Sequence, residues 1–315
     1  MGFYFPGMKS PAYWRERMRD RDRRAKISED KLISKVNEYY RKAFNDITKE
    51  LNNFYIKYAT DNSITIAEAK QLLTPLEYAD LLEQISTLKE SFALTGSEYT
   101  LEEMQLLSDR KSITRLQALL DSIDTHLIKT THNVQISIED HLSKMYQRSY
   151  KEALKDVGAN NSEVINHRAV KEVINYPYAG EMFSNRIWKN KRSLLEYIKK
   201  DLTQGIIRGD SIQRMGQALK ERERVTTYQA ERLIRTETNY NMTRGHVDGY
   251  KDSGLIYGVE VVVAGDERTC PNCTDHESEV VKLKDAVSGS TIPPFHWQGH
   301  PNCRCSVIPV LKDEI

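Results

Sequence analysis

The four cysteines of this chain stand close together near its C-terminal end. Cys270 and Cys273 lie in Cys-Pro-Asn-Cys, and Cys303 and Cys305 in His-Pro-Asn-Cys-Arg-Cys. No other feature constrains the fold as much. A segment this short buries little apolar core, so something other than a core must close it. Cys-x-x-Cys sets two sulfurs on one tight knuckle. In an extended segment, positions 303 and 305 share a face because side chains alternate. Four soft ligands on two short segments suit tetrahedral Zn²⁺, and His300 is a fifth candidate that could displace Cys303 or Cys305. A metal site is therefore expected among Cys270, Cys273, His300, Cys303 and Cys305, in a structural role because four protein ligands leave no open position. Two disulfides, or packed reduced thiols, are the alternatives. A dithiol redox site would open a helix after a strand. Here Thr274–Glu279 leads quickly into another strand, so redox catalysis is not expected.

The residues around the cysteines carry strand signals. Val259, Val261 and Val263 alternate, Val280, Val281 and Leu283 form a second short run, and Ser306–Leu311 a third, with Pro309 marking an edge position. Everything upstream reads as helix. Val36, Tyr40, Phe44, Ile47, Leu51, Phe54 and Tyr58 recur at three- and four-residue steps, with Ser28 as the expected N-cap. Thr65 with Glu68, Thr74 with Glu77, and Thr100 with Glu103 each match a capping box, and Pro75 sits at a favoured first position. Further helices are expected through Ile113–Leu127 and on to a stop at Gly158, through Ile187–Ile207 to Gly209, to about Arg222, and from about Thr227 to Ser253 before Gly254.

Lys and Arg number 46 against 45 Asp and Glu, so bulk charge does not mark a nucleic-acid binder. The one local excess is the stretch 13–26. Its arginines, Arg17, Arg19, Arg21, Arg23 and Arg24, are candidates for contact with DNA phosphate or an acidic partner, against a plainer expectation of internal ion pairs on a solvated helix. No apolar run is long enough to span a bilayer, and no secretory pattern opens the chain, so folding in a cytosol is expected. Gly-rich phosphate loops, His-Glu-x-x-His and Gly-x-Ser-x-Gly are absent from the sequence. Arg235, Glu237, Asp266, Glu267, Arg268, His276 and His300 contain the ingredients of a zinc hydrolase. Ion pairs and a turn before the knuckle explain them more simply, and no catalytic residue is assigned. The expected fold is mainly α, an elongated helical body with a small C-terminal α+β module stapled by the Cys/His cluster. The expected division is 1–158 (helical, with the basic arm), 159–226 (helical) and 227–315 (the module).

Several of these residues carry a resemblance. Arg235-Thr-Glu-Thr238, Gly249-Tyr250 to Gly254, Asp266 to Cys273, Pro293-Pro294 and His300-Pro-Asn-Cys-Arg-Cys305 come in the order found in the Mu-F-type phage head morphogenesis family, the minor head or minor capsid proteins. The resemblance covers roughly the final third. It departs where Phe295–Gly299, with His296 and Trp297, intervenes between the double proline and His300; motif matching assigns His300 to the cysteines. The resemblance implies a structural virion protein rather than an enzyme, present in few copies in the head interior after assembly in the host cytoplasm. Its implied partners are the portal protein, capsid or scaffold components and packaged DNA, with a role in head assembly and DNA packaging or ejection. A zinc-dependent hydrolase or nuclease acting as phage DNA enters the cell is the alternative.

Overall fold

The computed structural model describes residues 10–59, 64–93, 95–109, 113–159, 167–267, 269, 271–295 and 301–312. In chain order the elements are α1 (Pro11–Tyr58), α2 (Ile66–Ala69), α3 (Pro75–Phe92), α4 (Glu98–Ser108), α5 (Arg115–Asp156), α6 (His167–Ile174), α7 (Phe183–Arg208), α8 (Ile212–Ser253), β1 (Ile256–Val262), α9 (Pro271–Thr274), β2 (Val280–Lys282) and β3 (Ser306–Leu311). The chain is mainly helical with one small antiparallel sheet, as its residue spacing predicts. None of the described helices is long and apolar enough to cross a membrane.

The helix ends follow local chemistry. Thr65 and Thr74 each cap a helix with a complete capping box, and Pro75 occupies the first turn of α3. Gly158, Gly209 and Gly254 follow α5, α7 and α8 with φ near +69°, the left-handed conformation that glycine adopts without a Cβ penalty. Three expectations are corrected. Ser28 is not a cap: no glycine or proline interrupts Pro11–Tyr58, and the basic arm and the apolar stripe form one helix. Its hydroxyl instead meets His141 Nδ1 at 3.4 Å. Thr100 is not a cap either. Ser97 Oγ accepts from the Thr100 N–H at the start of α4, and Glu103 turns inward to an ion pair. The expected break between Arg222 and Thr227 is also absent, since nothing there stops α8.

The chain divides into two compact units, each assembled from separated stretches, which differs from the serial division into 1–158, 159–226 and 227–315. The reason is helix length: α1, α5 and α8 each contribute residues to both units.

One unit comprises 34–137 and 184–230 and is all helical. Its main core joins Phe44, Ile47, Leu51 and Phe54 of α1 to Leu120, Ile123 and Leu127 of α5 and Ile198, Leu202 and Ile206 of α7. A second cluster gathers Leu81, Ile85 and Phe92 of α3, Met104 and Leu107 of α4, Ile128 of α5 and Trp188 of α7. Burying a Leu or Ile side chain contributes about 1.5–3 kcal/mol, so these stripes supply the driving force. Lys191 is buried in the same unit between Asp124 and Glu103, whose Oε2 lies 2.8 Å from its Nζ.

The other unit comprises 1–33, 138–183 and 231–315 and contains the sheet. Strand order is β2-β1-β3, with Val259 opposite both Val281 and Pro309. Pro309 thus lies on an edge strand, where its missing N–H is tolerated. Val259, Val261 and Val307 pack against Val247 and Tyr250 of α8. Gly245 and Gly249 bring α8 close to α5: a Cβ there would stand 2.5 Å from the Tyr146 carbonyl oxygen and 2.6 Å from that of Tyr150. Trp14 and Met18 of α1 cover Ile308 of β3.

Candidate metal centre

The cysteine segments are built from short elements that cannot hold themselves. Cys273 lies in the one-turn helix α9, reached through a turn in which the Thr269 N–H donates to the Asp266 carbonyl oxygen at 2.9 Å. Cys303 and Cys305 lie in the extended stretch that enters β3, after Asn302 at φ +61°. Asparagine tolerates that left-handed conformation better than most residues. Arg304 spans the two segments with paired hydrogen bonds of 2.5 and 2.6 Å to the Asp266 carboxylate. Such bidentate pairs fix geometry as well as adding energy.

These elements bring three thiols together. The Sγ atoms of Cys273, Cys303 and Cys305 all lie within 4.8 Å of one another, and all three residues are buried. The Cys273 and Cys303 sulfurs are 3.8 Å apart. Sulfurs bound to one tetrahedral Zn²⁺ at about 2.3 Å stand about 3.8 Å from each other, so the donor set and its spacing fit that ion. Phe295 packs against the trio and stacks on His276 at a ring separation of 4.5 Å, walling one side with apolar surface. Hydrogen bonding with Cys303 and Cys305, then burial, pushes the Cys273 thiol well above its ordinary pKa. Cys303 rises to about 12: its bond with Cys273 pulls it down, but Cys305 and burial outweigh that. Cys270 and His300 lie outside the described residues.

Several of the neighbouring polar residues have structural partners, and Arg268 lies outside the described residues. Arg304 and Asp266 pair as above, His276 Nδ1 lies 2.5 Å from Glu279 Oε2, and Arg235 approaches Asp30 at 4.0 Å. Glu237 is buried on α8. Sequence reasoning missed Asn239, whose side chain reaches the backbone of both Cys303 and Cys305. Only its place four residues after Arg235, beside the Thr-Glu-Thr stretch, hinted at a role.

The arginine candidates of α1 divide. Arg21 is 1% exposed, bound to Asp156 at 2.5 Å and Glu152 at 3.0 Å, and Arg17 binds the same Asp156 at 2.6 Å. Both are internal ties of the unit, and the burial of Arg21 keeps it from facing a partner. The cause is a fully buried carboxylate on α5 that local spacing does not reveal. Arg24 pairs with Glu152 at 3.3 Å and Arg23 with Asp20 at 3.1 Å, both from exposed positions. Arg19 is exposed, with no ion pair among the described residues. Arg19 and Arg23 line a cleft of ≈ 1430 Å³ that Asp22, Glu29, Arg235 and Cys303 also border. Burial raises the carboxyls of Asp22 and Glu29 to about 7, the former with a further upward push from the neighbouring Cys305.

Residues 196–308 match the family model described as Phage Mu protein F like protein. This part of the chain is similar to that family. The Mu-F-like region includes Asn239 and the three clustered cysteines, and it ends inside β3. The chain is also similar to an NAD(+)–arginine ADP-ribosyltransferase of Enterococcus faecalis, at 24% identity over 224 residues. That similarity covers 65% of this chain and 45% of the relative, so the chain spans less than half of that protein's length. No solved structure matches.

Proposed function

We propose that this chain is a structural minor head (minor capsid) protein of a tailed bacteriophage, associated with the portal and the capsid interior and supporting head assembly and DNA packaging or ejection. The observation that carries this reading is the Mu-F-like match over 196–308, a family of phage head morphogenesis. In this reading Cys273, Cys303 and Cys305 hold a Zn²⁺, with Cys270 or His300 as the fourth ligand. Such an ion would supply folding free energy by closing the loop between α9 and β3. The apolar wall of Phe295 keeps water from the thiols, and Arg304 with Asp266 fixes the two segments that bear them. Arg19 and Arg23, the solvent-facing members of the arm with the least internal binding, are the residues proposed to touch packaged DNA or an acidic portal surface.

Heads assembled from the cognate portal and capsid proteins, with and without this chain, test the reading. The chain is expected to co-purify with portal-bearing heads in few copies, and its omission to lower the yield of DNA-filled, infective particles. Equal filling and infectivity without it would overturn the proposal. A second reading follows from the Enterococcus relative: ADP-ribosyl transfer from NAD⁺ to arginine. Because less than half of that protein is shared, the structural reading is preferred, and no nicotinamide release from NAD⁺ is expected. Sustained release by the purified chain would favour the enzyme, and metal-dependent DNA cleavage would favour a zinc nuclease.

A further inference from the structure

We infer that Asn239 and Thr236, three residues apart on one face of α8, are positioning residues for the thiols of Cys303 and Cys305. The inference rests in part on the metal reading above. The Asn239 carboxamide donates through Nδ2 to the carbonyl oxygens of Cys303 at 2.9 Å and Cys305 at 3.1 Å. In extended backbone, residues two apart direct their carbonyls to the same side, so one NH₂ group with two protons serves both. Thr236 holds the preceding residue: its Oγ1 accepts from the Asn302 N–H at 3.0 Å. The same hydroxyl donates to the Arg232 carbonyl oxygen at 2.7 Å, which commits its proton and leaves a lone pair for Asn302. Asn302 is the residue at φ +61°, where the chain turns into the cysteine stretch.

Three closely spaced anchors, at 302, 303 and 305, therefore tie the thiol-bearing backbone to a long helix, beyond the Arg304 clamp to the short segment before α9. This gives the Thr236-to-Asn239 stretch its role. The ligand segment has little freedom to slide or twist, and its two sulfurs stay on one face beside Cys273.

The test uses the full reduced chain and two near-isosteric variants, Asn239→Leu and the milder Thr236→Val. Zn²⁺ affinity is measured by competition with a chromophoric chelator, and Co²⁺ spectra report ligand geometry. Loss of a partner that orients a metal ligand typically costs about 10–100-fold in affinity, and that range is expected for Asn239→Leu with a changed Co²⁺ spectrum and unchanged helix content. A second readout needs no metal. Alkylation of the metal-free protein, followed by mass spectrometry, is expected to label Cys303 and Cys305 faster in both variants than in the parent, relative to Cys273. If the parent binds no Zn²⁺, the metal reading falls and the alkylation result alone decides the positioning role. Unchanged affinity, spectrum and relative labelling, with only a lower melting temperature, would overturn the inference and leave both residues as ordinary helix-to-loop contacts.

Discussion

The two compact units stabilise themselves differently. The all-helical unit relies on apolar stripes: α1, α5 and α7 each present Leu, Ile or Phe at helical spacing, and the stripes close on one another. Its charged interior feature, Lys191 with Asp124 and Glu103, is set into that framework. The sheet-bearing unit has a core of its own around Val259, Val261, Val307 and Tyr250, and outside it only small apolar groups are described, such as Trp14, Met18 and Ile308 or Ala25, Met145 and Met242. It adds point contacts: Arg21 and Arg17 on Asp156, Arg304 on Asp266, Asn239 on the cysteine backbone, and the thiol trio itself. Distributed apolar burial tolerates local damage, whereas a segment held at points, such as the cysteine stretch, fails when one point is removed.

The largest effect is expected at Asp156. Its carboxylate is fully buried and binds two arginines, so Asp156→Ala leaves the buried Arg21 with Glu152 as its remaining carboxylate and should cost about 3 kcal/mol. Hydrogen exchange should report the loss within 10–33, 138–159 and 231–312. Lys191→Met is the matching variant of the helical unit. It removes the ammonium from between Asp124 and Glu103, the latter keeping Arg192, at a similar cost of about 3 kcal/mol, with the loss reported within 113–137 and 184–230. If both variants loosen the whole chain equally, the two units are not separate in stability.

Acid should act next. Burial lowers His141 to about 4, although Ser28 and Thr238 bond its ring nitrogens. A histidine whose folded pKa lies below its ordinary value of about 6.5 favours the fold while neutral. Its contribution is present above about 6.5 and is lost as pH falls toward about 4, of the order of 3 kcal/mol at most. Glu29, raised to about 7, has the opposite sign: it favours the fold while protonated, and that support is lost as pH rises through about 7. Denaturant titrations between pH 4 and 7 should show His141→Gln losing less stability on acidification than the parent. Identical slopes would remove His141 from the account. A smaller effect is expected from Gly249→Ala. Its Cβ would press on the Tyr150 carbonyl oxygen and on Ala153, forcing α8 from α5 at about 1–3 kcal/mol. A neutral result would mean that the helices part at no cost.

The same contrast explains what could be read from the sequence. The stripe from Val36 to Tyr58, the capping boxes at Thr65 and Thr74, the glycine stops and the edge proline are local signals, and local physics decides them. Ser28 misled because cap chemistry is permissive and nothing nearby ended the helix. Thr100 misled because Glu103 has a stronger call on its carboxylate from Lys191, which is distant in sequence. In the candidate site, the cysteine spacing marked the segments, and three described thiols do converge. Asn239, the Arg304–Asp266 clamp and the burial of Arg21 depend on pairings across the chain that no spacing rule encodes.

The central claim is that the C-terminal cysteines close their module with a metal ion. Elemental analysis of the folded, fully reduced chain tests it most directly. A single four-ligand site predicts about one Zn²⁺ per chain, lost together with the protease resistance of the segment after Gly254 when Cys303 is replaced by serine. A module that stays folded and protease-resistant while holding no metal would contradict the claim.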